Sequence, residues 1–222
     1  MIRLVLAFLL AAVPLAAQAQ TEQQALVDRS TLAIQELLND TSANSDARQL
    51  MRNARAVMIC PRVFKAGFIL GGQGGGCVMA GRLQTGWTDP AFYGFGSGSI
   101  GLQIGIQDAE VLMIVRTEKG VRALLDSQFK IGADAGISFV TLGAGVQGAT
   151  TAAFRADIVA YSKSRGLYAG ISLDGGLLGA RTEWNQAYYG QPLAAQQIVL
   201  EGQGNNPGAD PLRETLARYS GN

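Results

Sequence analysis

The sequence predicts an α+β fold: N-terminal amphipathic helices, then a curved, largely antiparallel, glycine-rich sheet or barrel-like sheet with one inserted helix. Three observations predict it. Residues 22–38 carry apolar side chains at helical spacing. From Ala56 onward the chain breaks into short apolar runs punctuated by glycine, some alternating with a period of two. Strict strand–helix–strand alternation is missing, which argues against a parallel sheet.

The elements follow in order. Residues 1–19 read MIRLVLAFLLAAVPLAAQA. One basic residue, Arg3, precedes an apolar run to Val13, then Pro14 and small residues ending in Ala17-Gln18-Ala19. This is the pattern of a secretory signal peptide with cleavage expected after Ala19. The apolar run falls short of the roughly 20 residues a membrane-spanning helix needs. The expected location is therefore periplasmic or secreted, with peripheral membrane association. Residues 20–202 are expected to form the binding domain, and residues 203–222 a polar tail with a short helix.

In the first helix Leu26, Ala33 and Leu37 share a stripe with Val27, Ile34 and Leu38. The opposite face, with Asp28, Arg29, Gln35 and Glu36, reads as solvated. A second helix is expected from Ser45 to Ala54. Strand-like runs follow at Ala56–Cys60 (ending at Pro61), Gly67–Leu70, Cys77–Ala80, Ile100–Ile106, Val111–Val115, Phe129–Ile131, Gly136–Thr141 and Gly166–Leu173. Gly71–Gly76, five glycines in six residues, reads as a hairpin connection in which glycine supplies positive φ. Helices are expected at Glu118–Ser127, inserted among the strands, and at Thr150–Ser164, ended by Gly166. Asp210-Pro211 reads as the N-cap and first position of a terminal helix.

Composition narrows the chemistry. Histidine is absent from the 222 residues. That removes Ser-His-Asp and Cys-His catalysis and every His-ligated metal site. The two cysteines, Cys60 and Cys77, cannot complete a closed zinc site, so neither a metal nor a cofactor is expected. In an exported chain they are either a disulfide or two buried thiols. Residues 1–19 hold one charged residue, Arg3, leaving 17 of the 18 basic residues against 17 acidic ones. A neutral chain has no global attraction for nucleic acid.

Two G-x-G-x-x-G matches occur, at Gly96/Gly98/Gly101 and Gly143/Gly145/Gly148. The first continues as strand-like alternation, and the second lacks an acid near the required offset, so neither meets the dinucleotide pattern. Gly170-Ile171-Ser172-Leu173-Asp174 misses the nucleophile-elbow pattern at its last position. Asp108 and Glu110 read as turn and surface groups rather than a glycosidase pair. The chain is expected not to be an enzyme.

Basic residues cluster locally. Arg55, Arg62 and Lys65 flank the first strand, and Lys163 and Arg165 sit at the end of the expected long helix. Such residues are either ordinary surface charge or an anion-binding patch. The patch reading requires both groups on one face. Its phosphate-binding residues are Arg62, Lys65, Lys163 and Arg165, with Arg55 and Arg82 at the margin.

Residues 54–59 (ARAVMI), residues 65–107 (KAGFILGGQGGGCVMAGRLQTGWTDPAFYGFGSGSIGLQIGIQ) and residues 156–175 (ADIVAYSKSRGLYAGISLDG) resemble the SYLF domain in that order. Tyr161-Ser162-Lys163, Gly166-Leu167, Gly170 and Ser172-Leu173-Asp174-Gly175 are its most specific part, with Asp174 where the family usually has Glu. Trp87 and Pro90 match the family's W-S-x-P turn, with Thr88 in place of Ser. The resemblance covers about Glu22 to Gly176. It implies a lipid-binding module. Eukaryotic members bind phosphoinositides, and yeast actin-patch members also touch actin and its regulators. An exported chain meets neither. What carries over is affinity for anionic phospholipid headgroups at the cell envelope. The alternative is a non-catalytic structural or protein-interaction module of the envelope that touches no lipid.

Overall fold

The computed structural model describes residues 14–39, 44–67, 70–100, 105–126, 128–132, 134–142, 155–165, 173 and 175–221. The sheet order is β6-β9-β4-β2-β1-β5-β8-β7, with β3 pairing only with β2. The strands are β1 (Ala56–Gly67), β2 (Leu70–Leu83), β3 (Gly86–Trp87), β4 (Ala91–Ile100), β5 (Gly105–Val115), β6 (Phe129–Lys130), β7 (Ile137–Thr141), β8 (Ile158–Arg165) and β9 (Leu177–Ala180). Every pairing is antiparallel except β7 with β8. The sheet curls into a half-barrel, so the fold is α+β as the sequence predicts.

Both faces of the sheet are covered. On one face Val57, Ile59, Val78, Phe92, Leu112, Ile114 and Val159 meet helices α1 (Pro14–Asn39), α2 (Asn44–Arg52) and α6 (Asp210–Ser220). On the other, Met58, Cys60, Cys77, Met79, Tyr93, Val111 and Met113 pack with α3 (Glu118–Leu125) and α5 (Ala195–Val199). Residues alternate between these cores along each strand, as the period of two requires. Helix α1 buries Leu26, Val27, Ala33, Ile34, Leu37 and Leu38, the stripe read from sequence. Ser30 and Thr31, also buried, satisfy their hydroxyls by donating to the carbonyls of Leu26 and Val27. Helix α1 runs across the expected cleavage point after Ala19.

Three sequence expectations change. Strand β1 does not end at Pro61. The register shifts between Cys60 and Val63, and Pro61 sits in that bulge, where its missing N–H costs no ladder bond. Gly71–Gly76 is not a hairpin loop but the first half of β2. The chain reverses between Gly67 and Gly71 instead. Most of the expected strand Ile100–Ile106 lies outside the described residues, which resume at Gly105 with β5. Finally, Thr150–Ser164 is not one long helix. Residues 158–165 are strand β8, so Lys163 and Arg165 sit on a strand rather than at a helix end. Ile158 and Ala160 are buried on one face, Val159 and Tyr161 on the other. A strand buried on both faces shows no alternation, and such a run does not separate strand from helix by pattern.

The second glycine motif and all but Leu173 of the expected strand Gly166–Leu173 lie outside the described residues. Helix α4 (Thr182–Tyr189) and α5 were not anticipated. The expected terminal helix forms as α6, starting at Asp210 with Ala209 rather than Asp210 as its N-cap, and Leu212, Thr215 and Leu216 bury it against α1 and α2. Trp87 Nε1 donates to Ser220 Oγ at 3.1 Å, tying β3 to the end of α6.

Candidate functional site

The bulge in β1 builds a groove. After the register shift Val63 faces the α3 side with Ala109, so Arg62 and Phe64 project toward α1. The guanidinium of Arg62 lies 5.8 Å from the centre of the Phe64 ring. Gly75 permits this arrangement, because a Cβ there would sit 2.1 Å from the Arg62 carbonyl oxygen. Gly76 permits the crossing of α1, since its Cβ would sit 3.0 Å from a Leu26 methyl. The glycine cluster therefore shapes the site through close approach and does not cradle a ligand with its own N–H groups.

Two adjoining hollows share Arg29, Pro61 and Arg62. The first, about 450 Å³, is completed by Leu26, Phe64 and Gly74–Gly76. The second, about 370 Å³, is completed by Leu32, Glu36, Asp108, Ala109 and Glu110. Each falls in the range of about 300–1,000 Å³ usual for small-molecule sites. Arg62 Nε donates to Asp108 Oδ2 at 2.8 Å, yet 64% of the Arg62 side chain stays exposed. Arg29 has no ion-pair or hydrogen-bond partner among the described residues. Leu32, 64% exposed, and Phe64, 40% exposed, flank these two guanidinium groups. Arg29 was read from the sequence only as part of a solvated face. Nothing in helical spacing shows that this face lies beside a strand bulge.

The other basic residues divide. Lys163 points to the α1 face and pairs with Glu36 at 3.3 Å. The backbone of Arg165 pairs with that of Asp108 in the β5–β8 register, and its side chain lies outside the described part of the structure. Lys65 pairs with Gln107 and Gln73 across the strands, which puts it on the opposite face from Arg62. Arg55 and Arg82 lie at the far end of β1, about 20 Å away at the strand rise per residue. Arg55 meets Glu118 at 3.4 Å. Arg82 donates to the Arg52 carbonyl at 2.7 Å and stacks 5.7 Å over Trp87. Arg62 and Lys163 thus share one face, while Lys65, Arg55 and Arg82 do not join them.

Cys60 and Cys77 occupy facing positions of β1 and β2, are both buried, and are joined through their sulfurs. The link lies on the α3 side, immediately before the bulge. It holds the two strands from which Arg62 and Gly75 project.

Perturbed acids sit elsewhere and have structural causes. Asp89, 4% exposed, is pushed up by burial, against the opposing pull of the Asn206 N–H and Arg213. Asp157 is held below the usual carboxylate range, first by the Thr117 hydroxyl at 2.7 Å, with Gly136 N–H and Lys119 adding to it. Burial, with Asp46 nearby, pushes the Tyr161 hydroxyl up to about 12. Among the described residues no group of three or more Cys, Asp or Glu side chains is arranged to hold a metal ion. Among them also, no helix is long and apolar enough to cross a membrane.

Residues 96–219 match the family model described as "Ysc84: Las17-binding protein actin regulator". The chain is 29% identical to Protein YSC84 of Saccharomyces cerevisiae over 171 residues, 75% of this chain and 36% of the yeast protein. It is 30% identical to the Homo sapiens SH3 domain-containing YSC84-like protein 1 over 160 residues, 71% of this chain and 47% of that one. The Xenopus laevis protein of the same name is 35% identical over 141 residues, 62% and 42% of the two chains. The chain spans less than half the length of these relatives. A further Saccharomyces cerevisiae relative, 29% identical over 171 residues, is named LAS seventeen-binding protein 3, and the vertebrate names describe SH3 domain-containing proteins. On the family match and these identities, the chain belongs to the Ysc84 family, the family of the SYLF domain.

Proposed function

We propose that this protein is exported and binds anionic phospholipid headgroups at the cell envelope through the groove beneath α1. One observation carries the reading: two exposed guanidinium groups, Arg29 and Arg62, share a groove flanked by the exposed apolar side chains Leu32 and Phe64. Arginine forks match phosphate oxygens, and the apolar neighbours suit the boundary between headgroup and acyl chain. Lys163 extends the basic face along β8. Residues 1–19 direct export, and cleavage after Ala19 leaves Arg29 and Leu32 in place.

Co-sedimentation with vesicles tests it. Binding to phosphatidylglycerol vesicles, weakening as salt rises, supports the reading. Equal binding to phosphatidylcholine vesicles, or none to either, removes it.

The relatives favour a second reading. Yeast members are named LAS seventeen-binding proteins, which points to a protein partner for this domain. Capture of one defined partner by wild type and by the charge-reversed Arg29→Glu/Arg62→Glu protein alike, with no vesicle binding, favours that reading over lipid.

A further inference from the structure

We propose that the groove selects a headgroup carrying an ammonium group as well as a phosphate: an aminophospholipid rather than a phospholipid whose only charge is its phosphate. This rests on the phospholipid-binding reading and deepens it.

The groove is not uniformly basic. Its centre holds Arg29 and Arg62. The wall toward β5 and α1 holds three carboxylates, Glu36, Asp108 and Glu110. Two of them are engaged by groove cations, Asp108 by Arg62 and Glu36 by Lys163, yet their side chains remain 34% and 38% exposed. The opposite wall has no acid: it is Leu26, Phe64 and the glycines Gly74–Gly76. Charge therefore runs across the groove from apolar, through basic, to acidic.

A headgroup with phosphate alone meets attraction at the centre and repulsion from the acidic wall. A headgroup whose phosphate is linked through two carbons to a primary ammonium meets opposite charge at both positions and donates N–H bonds to the carboxylates, which the quaternary ammonium of phosphatidylcholine cannot do. Phosphate sits between Arg29 and Arg62, and the ammonium faces Glu36 and Asp108. The acidic wall also discriminates: it penalises the purely anionic competitor as well as attracting the amine. Leu32 and Phe64 stand exposed beside the guanidinium groups, where a bilayer-borne lipid places its glycerol and first methylenes. This commits the site to a lipid in a membrane rather than to a free phosphoamine.

The test uses phosphatidylcholine vesicles doped with either phosphatidylserine or phosphatidylglycerol at equal mole fraction. Both dopants give the surface the same net charge; the first adds a primary amine and a carboxylate, and a preference due to the carboxylate would not depend on Glu36 or Asp108. The protein is expected to bind the phosphatidylserine vesicles about tenfold more tightly, the worth of one charge-assisted hydrogen bond. In Glu36→Gln and in Asp108→Asn that ratio falls toward one. Circular dichroism checks the fold of each variant, and both side chains are exposed enough for the fold to persist. Equal binding of the two anionic vesicles, both above phosphatidylcholine alone, overturns amine selection and leaves headgroup binding standing. A ratio that survives in both variants overturns the assignment to these carboxylates. Soluble glycerophosphoserine competing as strongly as the membrane lipid overturns the commitment to a bilayer. Failure to bind either anionic vesicle removes the underlying reading as well.

Discussion

The carbonyl oxygen of Arg62 lies 2.1 Å from where a Cβ on Gly75 would stand. No side chain fits at that position while β1 keeps its bulge. The bulge in turn sets which residues face α1: Arg62 and Phe64 do, and Lys65 does not. One missing methyl on β2 therefore decides the composition of the groove.

Gly75→Ala should destabilise the protein by about 1–3 kcal/mol, the usual range for forced overpacking. Gly96→Ala, on β4 where a Cβ meets nothing within 4 Å, should stay within about 0.5 kcal/mol of wild type. Urea unfolding of the pair measures the contrast. Equal stabilities would remove the close-approach account of the glycine cluster.

Removing the link between Cys60 and Cys77, by Cys60→Ala with Cys77→Ala, should cost about 3 kcal/mol in the loop-entropy view. The midpoint of denaturant unfolding should fall, and dithiothreitol should destabilise the wild type but not the double variant. Thiol labelling under denaturing, non-reducing conditions should find no reactive cysteine in the wild type.

Arg213→Met should destabilise by about 2 kcal/mol, because Asp89 is buried and loses the cation 3.2 Å away. Asp89 would retain the N–H of Asn206 at 2.7 Å. Thermal unfolding of the variant, beside that of Arg122→Met on an exposed i,i+4 pair, separates this site from generic loss of surface charge.

The two perturbed acids give opposite pH dependences. Asp157 has a lowered folded pKa, so its stabilising contribution is present above the unfolded value of 3.8 and is lost as pH falls through the folded value. The stability gap between wild type and Asp157→Asn should close in acid. Asp89 has a raised folded pKa, so its contribution is greatest below 3.8 and declines as pH rises through the raised value. Unfolding free energies of wild type and each Asn variant, taken from pH 3 to 7, read both slopes.

The first helix was legible because its signal is periodic. The stripe of Leu26, Ala33 and Leu37 is amphipathic and appears as drawn from the sequence. The helix expected at Glu118–Ser127 forms over Glu118–Leu125, where the Thr117 hydroxyl accepts from Gly120 N–H at 3.1 Å. The misses share a physical cause. Ile158–Tyr161 is buried on both faces, so its apolar run carries no period. The glycines of β2 reflect contacts made by other elements, Leu26 of α1 and the backbone of β1, which local sequence cannot show. The site was half legible for the same reason. Arg62, Lys163 and Arg165 were named from their charge. Only the bulge and the α1 crossing show that Arg29 joins Arg62 and that Lys65 turns away.

The central claim is that Arg29 and Arg62 form one phosphate-binding groove. The most direct test is co-sedimentation of wild type, Arg29→Glu, Arg62→Glu and Lys65→Glu with phosphatidylglycerol vesicles. Each groove variant should lose at least about tenfold in affinity, while Lys65→Glu, on the opposite face, should lose much less. Equal losses in all three variants would show only generic surface attraction, and unchanged binding in the two groove variants would contradict the claim outright.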